Sequence, residues 1–127
     1  MNYFAIGLAG AAGALLRYAT GLAGSAAGFP AGTFFANITG CFLLSFLTAA
    51  VFKMDRFPKK LAAPIGTGLI GSYTTFSAFS IEAVQLMDKG DVQMALLYIG
   101  ASAVLGFLFS ITGIIAGSAF LERRVRE

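Results

Sequence analysis

The feature that most constrains this chain is where its charges are absent. Apart from Arg17 and Glu82, every Asp, Glu, Lys and Arg falls outside four apolar runs at about 3–27, 32–52, 61–87 and 92–120. Each run supplies the roughly 20 residues that a helix needs to cross a hydrocarbon layer about 30 Å thick. The fourth is long enough to tilt or protrude. None alternates in the manner of a half-buried strand, and backbone in lipid must satisfy its own hydrogen bonds, which leaves helices. The expected fold is therefore an all-α membrane protein with four transmembrane helices in a single domain, 1–127. Composition agrees: the chain is 57% hydrophobic and 12% charged, against about 25% charged in soluble domains. The N-terminal run lacks a basic n-region and outlasts a normal h-region, so a cleaved signal peptide is not expected.

Short polar pieces join the runs. Gly28-Phe29-Pro30 turns the first into the second, "KMDRFPKK" (53–60) links the second to the third, "DKGD" (88–91) closes the third, and "ERRVRE" follows the fourth. Four spans place both termini and the 53–60 linker on one side. That side receives Lys53, Arg56, Lys59, Lys60, Arg123, Arg124 and Arg126; the other receives Lys89. The asymmetry puts the termini in the cytoplasm. Small residues four apart, Gly24 and Gly28, Gly113 and Gly117, Gly10 and Ala14, Gly7 and Ala11, predict close helix packing. Four short helices enclose little, so an oligomer is expected.

Much is excluded. There is no histidine, no cluster with metal-ligand spacing and no glycine-rich loop after a strand, so an enzyme is not expected. The net charge of +3 gathers at the ends of apolar runs, which suits membrane anchoring better than nucleic-acid binding. Cys41, the lone cysteine, lies inside an apolar run and reads as a buried structural thiol.

Polar groups at bilayer depth carry more information because they are costly there. Arg17 in "GALLRY" is either a snorkelling arginine near a span end or has a vestibule or ligand role. Glu82 near the end of the third run reads as a group facing a wet vestibule. Asn37 in "FANITGCF" sits in the middle third of its run; it either glues helices together or donates to a passing solute. Tyr98 and Ser102 share one helix face, with Ser110 on roughly the same side. They line a wet path or bond back to their own backbone.

The most unusual stretch is "GTGLIGSYTTFSAFS" (66–80). Three glycines precede a run of hydroxyls, a composition that breaks a helix. Irregular backbone at this depth is tolerated only when buried in protein or lining a cavity. A break there offers carbonyls to a cation and amides to an anion. Beyond it Phe76 and Phe79 share a face, and Ser77 and Ser80 share the adjacent one. The edge of an aromatic ring is positive, so two ring edges turned into a pore touch an anion weakly, as conduction requires. Packing of both rings on a neighbouring helix is the plainer alternative. With Asn37 and the hydroxyls the pattern points to an anion path.

These residues resemble the CrcB/Fluc family of fluoride channels, over nearly the whole chain. The matching pieces are "GAAGALLRY", "NITGCF", "TGLIGSYTTFSAFS-E" and "YIGAS". The resemblance implies an antiparallel, dual-topology dimer in the lipid bilayer, with a third helix broken near its centre and two fluoride pores. It implies fluoride contacts at Phe76, Phe79, Asn37, Ser77, Tyr98 and Ser102, and Arg17 and Glu82 at the vestibule. It implies a structural sodium ion held by the backbone carbonyls of Gly71 and Thr74 from both subunits. The implied task is passive fluoride exit, which relieves fluoride toxicity without energy coupling. Three features depart from the family pattern. Ala78 stands where a threonine is common, Gly106 where some members carry serine, and the strong Lys/Arg bias is unlike a dual-topology chain. A homodimer is expected, with a pair of different, oppositely oriented chains as the alternative. A small proton-coupled multidrug exporter would need an embedded carboxylate, and the first run carries Arg17 instead. A structural subunit of a larger complex would not need the 74–80 constellation.

Overall fold

The computed structural model describes residues 3–22 and 28–126. It is all-helical. Helix α1 is Tyr3–Leu22 and α2 is Ala31–Ala49. A linker with two single 3₁₀ turns, Val51–Lys53 and Lys59–Leu61, follows. We denote as α3 the wide π-helical stretch Pro64–Ile70 together with Gly71–Tyr73, which continues it directly. Helix α4 is Phe76–Asp88 and α5 is Val92–Arg126. Among the described residues three helices are long and apolar enough to cross a membrane: Tyr3–Leu22, Ala31–Lys53 and Val92–Arg126.

Local chemistry explains the boundaries. Pro64 opens α3, where its missing N–H costs nothing. Inside α3 the N–H of Gly71 reaches five residues back to the Gly66 carbonyl as well as three back to Gly68, the mark of a widened turn. At the end of α4, Gly90 takes a left-handed φ of 80°. The Asp91 N–H then bonds the Leu86 carbonyl at 3.0 Å, and the Asp91 carboxylate accepts from the Met94 N–H at 3.2 Å to start α5.

One helix outruns its apolar run. The fourth helix does not stop at Phe120 but runs on through the charged tail to Arg126. Glu and Arg are good helix formers, and Arg123, Arg124 and Arg126 oppose the negative end of the helix dipole. The first helix is described to Leu22; residues 23–27, with Gly24 of the Gly24/Gly28 pair, lie outside the described residues.

Small residues set the packing. Gly113 and Gly117 place α5 against α2: a Cβ on Gly113 would lie 2.6 Å from the Phe42 carbonyl, and one on Gly117 2.8 Å from that of Phe46. The order of contacts makes α2 and α5 parallel. On the other side of the molecule Gly68 of α3 abuts Ile6 and Ala9 of α1. Helices α2 and α3 run oppositely, since Gly66 faces Leu44 while Gly40 faces Thr74. The buried core is small, formed by Ala83, Leu86, Ala95 and Tyr98, with Phe29, Phe34 and Phe79 packed against it. Large apolar side chains such as Phe4, Leu15 and Phe107 are exposed, as they must be where the surrounding solvent is lipid.

Candidate functional site

The site forms where α3 and α4 fail to join. Thr74 (φ −82°, ψ 155°) and Thr75 (φ −152°, ψ 127°) are extended between the two helices. Their backbone polar groups need partners, and α2 supplies one. The Asn37 amide nitrogen donates to the Thr75 carbonyl at 2.9 Å, and the Asn37 amide oxygen accepts from the Thr75 N–H at 2.7 Å. The buried Thr75 hydroxyl caps α4 by accepting from the Ala78 N–H at 3.2 Å, and it shares a further contact with the Ser77 hydroxyl.

This arrangement frees two carbonyls. In a continuous helix the Thr75 N–H would be aimed at the Gly71 carbonyl and the Ala78 N–H at that of Thr74. Both donors are engaged by side chains instead. The Gly71 carbonyl keeps only a long approach, 3.5 Å, from the Thr74 hydroxyl, which also donates to Ile70 at 3.1 Å.

A groove of about 620 Å³ opens beside the break. It brings together six of the sequence-predicted residues: Asn37, Gly71, Thr74, Phe76, Phe79 and Ser102. Its remaining lining is mostly apolar, including Leu44, Ile99 and Cys41. The Phe76 and Phe79 rings lie 5.8 Å apart at 39°. Phe79 is packed against Tyr98 at 5.1 Å, whereas Phe76 is 80% exposed. The Ser102 hydroxyl is buried and has no hydrogen-bond partner among the described residues. A buried hydroxyl without a partner is expensive and marks a place where a polar visitor would be welcome.

Tyr98 and Glu82 lie in a second cluster. Tyr98 is fully buried beneath Phe79 and Phe29, and its hydroxyl donates to the Glu82 carboxylate at 2.7 Å. Thr33 donates to the other carboxylate oxygen, also at 2.7 Å. Glu82 and Thr33 border a cavity of about 360 Å³ together with Gln85 and Lys89. Glu82 is thus a held carboxylate at a polar cavity rather than a loose one. Ser77 is exposed and meets Thr75 instead of lining the groove. Arg17 lies on α1, apart from the residues lining either cavity.

Thr33, Gly40 and Thr75 were not among the sequence-predicted residues. Thr33 stands four before Asn37, so both occupy one face of α2; that spacing was a usable signal. Gly40 matters because a Cβ there would run into the Thr74 methyl. The cap role of Thr75 depends on which of the two threonines ends the break, and composition does not distinguish them.

Chemically the groove holds two phenyl rings, one amide and hydroxyls, without a nucleophile–base pair. Such a lining can contact a small ion; it is not equipped for bond making. Several apolar helices around a side-chain-stabilised break define a small, multi-pass protein of the cell membrane. The chain belongs to a known family of that class: the model for "CrcB-like protein, Camphor Resistance (CrcB)" matches residues 4–114. Among its curated relatives is the "Fluoride-specific ion channel FluC 2" of Geobacillus kaustophilus, 47% identical over 116 residues, 89% of this chain and 90% of the relative. The "Fluoride-specific ion channel FluC 1" of Bacillus thuringiensis subsp. konkukian is 40% identical, covering 98% of this chain and 93% of the relative. A FluC 2 of Listeria innocua is 39% identical, covering 85% and 84%. These relatives are named as ion channels, not as enzymes.

Proposed function

We propose that this chain is a fluoride-selective channel that lets fluoride leave the cell passively down its gradient. The observation that carries the reading is the groove beside the Thr74–Thr75 break, in a chain whose full-length relatives bear fluoride-channel names. The groove is open on one side, and Phe76 stands exposed at it. A second chain closing that side would complete a narrow, mostly apolar path. Phe76 and Phe79 would present ring edges to fluoride, Asn37 its second amide hydrogen, and Ser102 its unpartnered hydroxyl. Ser77 and Tyr98 would extend the polar route, and Arg17 and Glu82 would stand at its mouths. Weak contacts at several points suit rapid passage better than one strong charge.

In this reading residues 64–88 form a fourth, broken span, and the single domain 1–127 assembles as an antiparallel dimer. The break fits a central sodium ion: the Gly71 and Thr74 carbonyls have lost their helical donors and both residues line the open groove. Such oxygens suit a hard monovalent cation, which would supply positive charge between the two pores and bind the chains together. The Asn37 and Thr75 side chains keep those oxygens free by holding the competing N–H groups.

A second assembly has its own support. Seven flanking cations on one side against one on the other favour a fixed orientation. A fixed chain needs an oppositely oriented, different partner to make the antiparallel pair.

Efflux from liposomes containing only this purified chain tests the reading, with electrodes for fluoride and chloride. Rapid fluoride loss without chloride loss is expected for the homodimer. Fluoride loss that requires co-reconstitution with a related chain of opposite bias identifies the heteromeric pair. Well-folded protein that passes neither ion in either arrangement overturns the channel reading.

A further inference from the structure

We propose that the end of the chain formed by the 53–60 linker and the last turns of α5 carries, in the cleft between them, a binding site for the phosphate of an anionic membrane lipid. The cleft is about 770 Å³ and is lined by Lys53, Met54, Asp55, Arg56, Leu121, Arg124 and Val125. Three cations face one carboxylate there. Among the described residues Lys53 and Arg56 make no ion pair. None of these residues lines the groove at the break.

The cleft is built rather than incidental. The Lys59 ammonium donates to the carbonyls of Phe52 at 2.9 Å and Met54 at 3.1 Å, which folds the linker back on itself. Backbone bonds from Lys53 to Ala50, from Met54 to Val51 and from Phe57 to Met54 hold it in successive turns. Phe52 and Phe57 pack at 5.3 Å beneath it. Across the cleft, the Arg124 guanidinium lies 5.7 Å above the Phe120 ring, a contact that positions its charge. This wall exists because α5 continues as a helix beyond the apolar run.

Depth and lining decide the occupant. The apolar stretch Ala31–Lys53 ends at the cleft, and the apolar run of α5 ends at Phe120, one turn before Arg124. Lipid phosphates lie at that transition, and basic pockets between helices at the membrane surface suit anionic headgroups. A free phosphate in water would use the cations alone. Met54, Leu121 and Val125 give an acyl chain something to rest against while its phosphate meets Lys53, Arg56 and Arg124. Arginine is well matched to a phosphate's paired oxygens.

The test titrates delipidated full-length protein with phosphatidylglycerol in a zwitterionic detergent and counts bound lipid by native mass spectrometry. Retention of phosphatidylglycerol over phosphatidylcholine, weakened by salt, is expected. The Lys53→Gln/Arg56→Gln variant should bind on the order of tenfold more weakly, while Arg56→Lys, which keeps the charge but not the paired donors, should fall between it and the wild type. Thermal melts of each variant in detergent check that folding is intact. Equal retention by the wild type and the double variant would overturn the site. Displacement of the lipid by inorganic phosphate at matched ionic strength would overturn the lipid assignment and leave a site for free phosphate.

Discussion

Asn37 satisfies both backbone groups of Thr75, donating to its carbonyl at 2.9 Å and accepting from its N–H at 2.7 Å. One side-chain amide therefore does the work of two missing helical bonds. Asn37→Leu keeps the bulk and removes both partners. Each backbone group left unsatisfied costs about 1–3 kcal/mol, so the variant should melt well below the parent. Fluoride efflux should also fall sharply, because the amide that fixes the break and lines the groove is gone. A thermal melt in detergent, run beside the liposome assay, reads both. Unchanged stability would show that water or lipid headgroups serve Thr75 equally well.

Gly40 and Thr74 meet across α2 and the break. A Cβ on Gly40 would run into the Thr74 Cγ2 methyl. Gly40→Ala should therefore disturb the break and depress efflux, although alanine favours the helix itself by about 1 kcal/mol. Thr74→Ser removes that methyl and keeps the hydroxyl that donates to Ile70. Adding it to Gly40→Ala should restore much of the lost transport. Failure of the second substitution to rescue the first would locate the clash elsewhere.

Asn37 and Ser102 were legible because their type is costly in lipid, Phe76 and Phe79 because of their spacing within a run of hydroxyls, and the four meet in one groove. The helical character of the long runs followed from their length, their lack of strand-like alternation and the need of backbone in lipid to bond to itself. What the sequence did not disclose was pairing across helices. That Asn37 spends both amide groups on Thr75, or that Glu82 is held by Thr33 and Tyr98, depends on contacts between residues 16 to 49 apart in the chain. The reach of α5 beyond its apolar run was not legible for another reason. Charge marks where an apolar run stops, but Glu and Arg continue a helix readily.

Glu82 accepts from Thr33 and Tyr98 at once, each at 2.7 Å. Tyr98→Phe removes one donor and Thr33→Val the other. Hydrogen bonds to a charged group contribute about 1.5–3 kcal/mol each. Either substitution alone should lower stability modestly, since the other donor remains. The double variant should lose more than the sum, leaving a carboxylate beside the aromatic cluster without a donor. A double-mutant cycle by chemical denaturation measures the coupling. Additive losses would mean that Glu82 is served by solvent from the neighbouring cavity.

The two phenylalanines of the break should separate transport from folding. Phe76 is 80% exposed in the single chain, so little of the chain's own packing depends on it. Phe79 lies against Tyr98 at 5.1 Å and belongs to the rim of the small core. Phe76→Ile should leave the melting temperature of the isolated chain nearly unchanged while cutting fluoride efflux, because isoleucine has no positive ring edge to offer an anion. Phe79→Ile should reduce both, with the aromatic contact alone accounting for about 0.5–1.5 kcal/mol. Matched melts and efflux rates on the two variants decide it. Equal loss of stability at both positions would make Phe76 a packing residue, and full efflux from Phe76→Ile would remove it from the fluoride path.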